Sequence, residues 1–473
     1  MLYVVWGERK RDYKMYQIDF DKPVHIHFIG IGGISMSGLA EVLLERGFTV
    51  SGSDNAESEL TKRLTEHGAR ISYGQRAENI TDDVDLVVYT AAIHADNPEM
   101  QEVVRRDLPK LTRAELLGQL MRNYEMPIAV SGTHGKTTTT SMISMILLEE
   151  GLDPTISVGG VLKEIDGNIR VGKSGYFVTE ACEYTNSYLS FSPRVGIILN
   201  IEEDHMYFFK DLDDIYGSFG KFAGLLGEDG YLIINRDIPA FEKITEGLPC
   251  KVITFSLQDA AADYHAEGLT YDEAGCAAFR ACHDGSARTF TLHVPGEHNV
   301  ANALAAVALA DVLGIKEEDI DAGLRRFGGT DRRFQIKGTL GGITIVDDYA
   351  HHPTEIRATL NACKRFPKER VICVFQPHTY TRTKAFFHDF AKALSLADIV
   401  VLADIYAARE TDNLGISSKD LADEITKLGT ESYYFPSFDE IENFLLQKCM
   451  HGDLLITMGA GDIVKVGEKL LGL

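Results

Sequence analysis

The sequence has few cysteines, and none of them stand in a spacing typical of a metal site or a disulfide framework. It contains seven cysteines in 473 residues, an odd number without a CxxC pair, which argues against structural disulfides and structural zinc and fits a reducing compartment. No run reaches the ~18 consecutive apolar residues of a membrane span, and the charged residues 1–14 lack the apolar segment of a signal peptide. We therefore expect a cytoplasmic protein without membrane insertion.

Basic residues are also scarce. Lys and Arg number 47 against 70 Asp and Glu, which gives a formal net charge of −23. Because proteins that bind nucleic acids usually carry a basic face, we expect no nucleic-acid partner. An anionic ligand would need a local site built from individual lysines, arginines and backbone N–H groups.

The chain does contain a repeated pattern of strand, glycine turn and helix. Two buried strands, residues 25–29 and 127–130, run into glycine turns followed by helical segments, and a further strand–helix region begins after residue 329. This alternation predicts an α/β fold with parallel sheets, and the length predicts about three domains. We place the domains at 23–118, 119–329 and 330–473, after an N-terminal extension at 1–22.

The strongest motif follows the second of these strands and opens a helix. Its glycines allow several backbone N–H groups to point at phosphate oxygens, and the helix N-terminus adds positive potential. The lysine can reach the β- and γ-phosphates of ATP, and the first threonine after it can ligate Mg²⁺. The alternative is a tight strand–helix turn with an exposed lysine. The motif consists of Gly132, Thr133, His134, Gly135, Lys136, Thr137 and Thr138.

A second glycine turn follows the first strand. Gly30, Gly32 and Gly33 form an incomplete dinucleotide fingerprint, and Asp54 ends the next strand, where an acid that binds ribose would lie. We interpret this as a site for a nucleotide diphosphate, and the alternative is a plain glycine turn.

Polar residues stand at or shortly after several other strand ends, which line the ligand crevice of an open α/β sheet. Glu180 and His205 are candidates for a metal ion held by the nucleotide phosphates, although Mg²⁺ prefers oxygen ligands. His351 and His352 are adjacent in a loop, where neighbouring side chains diverge, so a shared metal is disfavoured. Arg382 is a candidate to hold a small carboxylate.

Two further segments have a structural and a functional interpretation. Asn299 opens an Ala-rich helix, where a capping role is the simpler reading. Arg332 and Arg333 follow a Gly-Gly hinge and form either a phosphate clamp or a pair of surface ion pairs.

Taken in order, these segments closely resemble the Mur ligase family. The resemblance extends from about residue 24 to residue 472, and its motifs are HFIGIGGISMSGLAEVL, GTHGKTTT, TEACEYTNSYL, NIEEDHM, PGEHNVANA, DRRFQ, DDYAHHPTE and FQPHTYTRT. GTHGKTT alone is typical of the superfamily, whereas HFIGIGG together with DDYAHHPTE points to the branch that adds alanine.

The resemblance implies a fold, an activity and partners. The fold would comprise an N-terminal Rossmann-like domain for a UDP-sugar, a central P-loop ATPase-like domain, and a C-terminal Rossmann-like domain that carries the amino acid. The activity would be ATP- and Mg²⁺-dependent ligation of L-alanine to the carboxylate of UDP-N-acetylmuramate in peptidoglycan synthesis. We expect a monomer or a weak homodimer.

The resemblance also implies roles for single residues. Gly30, Gly32, Gly33 and Asp54 would hold the UDP part, whereas Lys136 and Thr137 would bind the ATP phosphates and Mg²⁺. The other implied roles are metal binding by Glu180 and His205, ATP contacts by Asn299, Arg333 and Asp348, and contacts with the incoming alanine by His351 and Arg382.

The chain departs from its relatives at two points. It has Glu180-Ala181-Cys182-Glu183-Tyr184 where many have an acidic EADESD-type segment, which leaves the ligands of a second metal open, and Thr379 where some have arginine. Lys221 is near the position of a carbamylated lysine in some Mur ligases. Three alternatives stay open: a recycling ligase that attaches a ready-made peptide, a folate-type polyglutamate ligase, and a nucleotide-binding regulatory protein without ligase chemistry.

Overall fold

The computed structural model describes residues 15–90, 92–206, 208–408 and 410–473. Most of the predicted N-terminal extension, residues 1–14, lies outside the described residues. The chain divides into two compact units, one made of residues up to 123 with 190–192, and one made of residues 124–189 and 193–473.

The first unit is a parallel sheet with helices between its strands. The strand order is β3-β2-β1-β4-β5, and each neighbouring pair is parallel. Residues of the predicted extension also contact this unit, since Gln119 Nε2 donates to the Tyr16 carbonyl at 2.7 Å. The elements are β1 (His25–Ile29), α1 (Ile34–Glu45), β2 (Thr49–Asp54), α2 (Glu59–Glu66), β3 (Arg70–Tyr73), β4 (Leu86–Tyr89), α3 (Pro98–Arg105), β5 (Lys110–Thr112) and α4 (Arg113–Met121).

The second unit contains two sheets, and the first of them spans residues 126–295. Its order is β15-β14-β13-β12-β11-β10-β6-β9-β7-β8. Its elements are β6 (Met126–Ser131), α5 (Lys136–Glu149), β7 (Thr155–Leu162), β8 (Gly167–Arg170), β9 (Tyr176–Glu180), β10 (Val195–Ile198), α6 (Leu212–Ala223), β11 (Tyr231–Asn235), α7 (Glu242–Thr245), β12 (Lys251–Ser256), β13 (Tyr264–Tyr271), β14 (Cys276–His283), β15 (Ser286–Pro295), α8 (His298–Val312) and α9 (Glu317–Arg326).

The helix α5 lies in the core of this part of the chain, and residues Thr137–Leu147 are all buried. Two of its buried hydroxyl groups donate to carbonyls of the preceding turn. Ser141 Oγ donates to the Thr137 carbonyl at 2.8 Å, and Ser144 Oγ donates to the Thr140 carbonyl at 2.7 Å. The core therefore fixes the helix whose first turn carries the phosphate motif.

The last sheet is also mainly parallel, with the order β16-β17-β21-β18-β19-β20. Only the β16–β17 pair among its described strands is antiparallel. Its elements are β16 (Gln335–Leu340), β17 (Ile343–Asp348), α10 (Pro353–Arg365), β18 (Val371–Phe375), α11 (Tyr380–Ala385), α12 (Phe387–Leu394), β19 (Ile399–Leu402), α13 (Ser418–Lys427), β20 (Glu431–Tyr434), α14 (Phe438–Lys448), β21 (Leu454–Met458) and α15 (Val464–Leu471).

Apolar side chains cover both faces of this last sheet. One cluster includes Val346, Phe375 and Phe390, and the other includes Ile345, Val374 and Ile441. Neighbouring residues of one strand thus point to opposite layers, as expected for a parallel sheet between helices. None of the described helices combines the length and the apolar character that crossing a membrane requires. The predicted α/β architecture with parallel sheets is confirmed.

Candidate functional site

The predicted phosphate loop connects β6 to α5. Gly132 and Gly135 have φ angles of +140° and +83°, which glycine adopts without the steric penalty of a Cβ. A Cβ on Gly135 would lie only 2.6 Å from Asn302 Oδ1. The helix begins at Lys136, and its N-cap Gly135 offers no side-chain acceptor. The N–H groups of the first turn therefore suit an anion.

The loop is held in this shape by the strand next to it. Asn200, just after β10, accepts from the His134 N–H at 2.7 Å and donates to the His134 carbonyl at 3.0 Å. The Thr133 N–H donates to the Asn200 carbonyl at 3.1 Å. The loop is thus preorganised by its own chain.

We expect Gly135→Ala to weaken binding of a nucleoside triphosphate by about tenfold or more, because one lost charge-assisted contact costs ~1.5–3 kcal/mol. Gly151→Ala is the matched control, since Gly151 has φ +78° but no neighbour within 4 Å of an added Cβ. Both variants should lose about 1–2 kcal/mol of unfolding free energy from the left-handed backbone, which denaturant titration measures. Equal nucleotide affinities of the two variants, measured by calorimetry, would contradict the phosphate assignment.

Lys136 is held by its own loop and by an acidic residue. Its Nζ lies 3.1 Å from the Thr133 carbonyl and 3.0 Å from Glu183 Oε2, and the Glu183 side chain is almost fully buried. Burial alone would lower the pKa of Lys136, but the Glu183 carboxylate, with help from Glu180, raises it above its ordinary value. The ammonium group is therefore charged and ready to exchange its partners for phosphate oxygens.

The predicted metal ligands lie around this lysine. Glu180, the last residue of β9, accepts from the Gly159 N–H, and Thr137 follows Lys136 in the first turn of α5. His205 has a φ of +54°, a strained conformation that clusters at functional sites, and its ring stacks on Tyr184 at 4.8 Å. Burial lowers the pKa of His205 despite the neighbouring Asp204.

This donor set fits a magnesium ion through its oxygens. Mg²⁺ favours carboxylate and hydroxyl ligands and retains several waters. Thr137 and Glu180 supply such oxygens, and Glu183 adds a carboxylate beside Lys136. The side chain of His205 can bind a metal only through nitrogen. Glu183 is therefore a more suitable Mg²⁺ ligand than His205.

A cavity of about 180 Å³ opens beside the phosphate loop. Apolar side chains such as Phe255, Val294 and Phe327 line it together with polar groups, as in most nucleotide pockets. Asn299, Arg333 and Asp348, which were predicted from separate segments, all line this cavity. The structure therefore brings the three predicted ATP contacts together.

Asn299 does not cap the helix. The helix α8 begins at His298 with Glu297 as its N-cap, so Asn299 lies inside the first turn. Its Nδ2 donates to the Pro295 carbonyl at 2.7 Å, and its Oδ1 accepts from Asn302 at 3.1 Å. The capping interpretation was wrong, because the chain enters the helix earlier than local residue preferences indicated.

Asp348 ends β17, and its carboxylate is fixed by the backbone. The Phe334 N–H donates to Oδ2 at 2.9 Å, and the Ala350 N–H donates to Oδ1 at 2.7 Å. Burial raises the pKa of Asp348 to about 6, although Arg333 opposes the shift. Arg332 pairs with Asp347 at 3.0 Å, so it has a structural partner.

The residues predicted to contact alanine, His351 and Arg382, lie near Asp204. Arg382 is buried and donates from Nε and Nη2 to Asp204 Oδ1 at 3.2 and 3.0 Å, and its Nη1 lies 3.2 Å from His378 Nδ1. Thr379 stands at the N-cap of α11, where its hydroxyl accepts from the Arg382 N–H at 3.4 Å. Asp204 is thus bound to the guanidinium group, and a substrate carboxylate would have to compete with Asp204 for Arg382.

The position of the proton on the His351 ring can be assigned from a neighbouring carbonyl. Nδ1 lies 3.0 Å from the Tyr349 carbonyl, which can only accept, so Nδ1 carries the proton and Nε2 has the lone pair. Burial lowers the pKa of His351 to about 3, and Arg382 acts in the same direction against the opposing Glu355. The imidazole is therefore neutral near pH 7, with Nε2 unprotonated.

In the first unit, the glycine turn and Asp54 form one motif. Asp54 Oδ2 accepts from the Gly32 N–H at 2.8 Å, and a Cβ on Gly32 would lie at the same distance from Oδ2. Gly30 has a φ of +84°. Glycine is therefore required at both positions, and Asp54 stabilises the turn in addition to its predicted ribose contact.

Three family models match consecutive segments of the chain. They describe the Mur ligase family catalytic domain, the Mur ligase middle domain and the Mur ligase glutamate ligase domain. Their matches are residues 25–125, 130–310 and 332–461.

Full-length relatives agree with these matches. The UDP-N-acetylmuramate–L-alanine ligase of Agathobacter rectalis is 60% identical over 458 residues, which cover 97% of this chain and 100% of the relative. The chain belongs to the Mur ligase family. The predicted family and the predicted fold with three Mur ligase domains are thereby confirmed, whereas the roles of single residues stay predictions.

Solved structures of Mur ligases show the same arrangement. The UDP-N-acetylmuramate-alanine ligase MurC of Thermotoga maritima is 31% identical, with a TM-score of 0.79 over 95% of this chain and 98% of its own. A murein peptide ligase of Psychrobacter arcticus is 26% identical, with a TM-score of 0.71 and the same coverage. The chain is thus more similar to the alanine ligase of Thermotoga maritima than to that peptide ligase, both in sequence identity and in TM-score.

Proposed function

We propose that this Mur ligase joins L-alanine to the carboxylate of UDP-N-acetylmuramate during synthesis of peptidoglycan precursors, with conversion of ATP to ADP and phosphate. The main support is the segment Asp204-His205, which is close both to the residues proposed to bind phosphate and to Arg382, which is proposed to bind alanine. Asp204 holds Arg382 at 3.0 Å, and His205 lies close enough to Lys136, Glu183 and Arg382 for their charges to affect its pKa. The phosphate and amino-acid ends therefore share one site.

The first step would be attack of the sugar carboxylate on the γ-phosphate of ATP, which forms an acyl phosphate and releases ADP. Phosphoryl transfer depends mainly on positioning and on neutralisation of charge. Lys136 and the N–H groups that open α5 provide positive charge at this position. A Mg²⁺ ion held by the oxygens of Thr137 and Glu180, with His205 or the more suitable carboxylate of Glu183 as a further ligand, would neutralise more of the phosphate charge.

The second step would be attack of the alanine amine on the acyl carbon, followed by loss of phosphate from a tetrahedral intermediate. The amine must be deprotonated, and the neutral His351 can accept its proton at Nε2. Arg382 would bind the alanine carboxylate in exchange for Asp204. Because acyl phosphates hydrolyse, the buried position of Arg382 and Asp204 favours exclusion of water.

The remaining roles belong to binding. Asn299, Arg333 and Asp348 line the cavity that would take the adenosine, and Asp348 would face its ribose. Gly30, Gly32, Gly33 and Asp54 would hold the UDP part of the sugar nucleotide in the first unit.

A phosphate-release assay tests this proposal. The protein is mixed with ATP, Mg²⁺ and UDP-N-acetylmuramate, and alanine, serine, glycine and a free tripeptide that begins with alanine are added one at a time. We expect release that requires both the sugar nucleotide and alanine. A higher kcat/KM with the tripeptide would identify a recycling ligase instead, and ATP binding without release in any mixture would identify a protein without ligase chemistry.

A further inference from the structure

Glu355, in the first turn of α10, contacts residues from three of the predicted functional segments. One carboxylate oxygen, Oε1, lies 3.2 Å from Nδ1 of His134 in the phosphate loop and 3.7 Å from Nη1 of Arg333. The other oxygen, Oε2, accepts from the backbone N–H of His351 at 3.0 Å and of His352 at 3.3 Å. A single carboxylate thus contacts the phosphate loop, the nucleotide cavity and the amino-acid end.

The contact between Glu355 and His134 is an ion pair in which both groups are charged. Burial alone would lower the pKa of His134, but the carboxylates of Glu355 and Glu202 raise it to about 9. Burial would raise the pKa of Glu355, but the neighbouring His351, His134 and Arg333 hold it well below its usual value. Charge-assisted hydrogen bonds of this kind are stronger than neutral ones.

Further contacts join the same two segments. Thr354 Oγ1 donates to Glu202 Oε2 at 2.5 Å, and His352 Nε2 lies 3.1 Å from the Glu203 carbonyl. The rings of His134 and His352 lie 4.8 Å apart. The start of α10 is therefore fixed on the phosphate loop and on the residues that follow β10, although these segments are more than 140 positions apart.

We infer that Glu355 is a positioning residue that couples nucleotide binding at the phosphate loop to amino-acid binding at His351 and Arg382. This inference rests on the proposed function of the cleft. Since Oε1 contacts His134 and Oε2 accepts from the backbone N–H of His351, a change in the His134 contact when phosphate binds would reach the residue proposed to face the alanine. The alternative is a purely structural role, because Glu355 also completes a capping box with His352 at the N-terminus of α10.

Glu355→Gln distinguishes the two roles, because an amide can still accept from the backbone N–H groups but carries no charge for His134. Coupling is measured as the factor by which a saturating non-hydrolysable ATP analogue changes the Kd of alanine, with the sugar nucleotide present. We expect this factor to fall at least fivefold towards one in Glu355→Gln. A capping role alone would leave the factor unchanged and lower only the melting temperature.

A double-mutant cycle adds an independent test of the contact. If Glu355 acts through His134, Glu355→Gln combined with His134→Gln should show no greater loss of coupling than the worse single variant. Full additivity of the two losses would overturn the inference. Should Glu355→Gln fail to fold, Glu355→Asp retains the charge with a shorter reach and should also lower the factor.

Asp453→Asn is the matched control. Asp453 is buried and pairs with Arg370 at 2.7 Å, and both precede strands of the same sheet, at the end opposite to Asp348. This variant should lose stability and keep the wild-type coupling factor. The binding assay does not require turnover, so absence of phosphate release in the wild type would contradict the proposed function, whereas an unchanged factor in Glu355→Gln would contradict only the role of Glu355.

Discussion

Lys136→Ala is expected to abolish ligation, with kcat/KM lowered by about 10³-fold or more, while UDP-N-acetylmuramate binds with nearly unchanged affinity. Loss of one preorganised group that neutralises developing charge costs ~10²–10³-fold in rate, and Lys136 also contributes to ATP binding. Phosphate release measures the first quantity and calorimetry measures the second. Turnover near the wild-type rate would show that the phosphates bind elsewhere.

Loss of activity through unfolding must be separated from loss of chemistry in this variant. Lys136→Ala leaves the buried Glu183 without its ammonium partner at 3.0 Å, and an uncompensated buried charge typically costs ~3–5 kcal/mol. Adding Glu183→Gln should recover much of that stability, as measured by denaturant unfolding, but none of the activity. Lys419→Ala, at an exposed lysine in the first turn of α13, should change neither property.

Sequence analysis located the phosphate loop because its structure depends on neighbouring residues. A strand, two glycines and a lysine within one short segment specify the bend and the start of the helix, and Gly132 and Gly135 indeed have positive φ. Contiguous patterns of this kind carry their own geometry.

The partners of these residues could not be found in this way. Glu183 lies 47 positions from Lys136, and Asp204 lies 178 positions from Arg382, so no local spacing relates them. The acidic segment that contains Glu183 was noticed as a departure from relatives, but its contact with Lys136 depends on the order of β6 and β9 in the sheet. Such pairings are set by the packing of the whole second unit.

The residue preference for helix capping gave the wrong result at Asn299, because the preceding turn has the larger effect on where the helix begins. Asn299 is a favoured capping residue, yet the turn at Gly296 with a φ of +102° directs the chain into α8 one residue before it. The asparagine then hydrogen-bonds backwards to Pro295 and lines the cavity. Its function as a cavity residue follows from that entry geometry, which residue preference does not encode.

His351→Gln is expected to lower kcat by about 10²–10⁴-fold at pH 7, which is the usual contribution of a general base. Glutamine can still donate to the Tyr349 carbonyl but cannot accept a proton from the alanine amine. The pKa of His351 of about 3 means that the base is already deprotonated from pH 5 upwards. Its own titration should therefore produce no acidic limb in the rate profile between pH 5 and pH 8.

The pH dependence of this variant distinguishes a base from a structural residue. As the pH rises, more alanine is present as the free amine, so the activity deficit of His351→Gln should shrink steadily between pH 7 and pH 9.5. A structural defect would give the same deficit at every pH. His352→Gln is the comparison, because His352 Nε2 is already engaged with the Glu203 carbonyl at 3.1 Å. If His352→Gln showed the shrinking deficit and His351→Gln did not, the base would be His352.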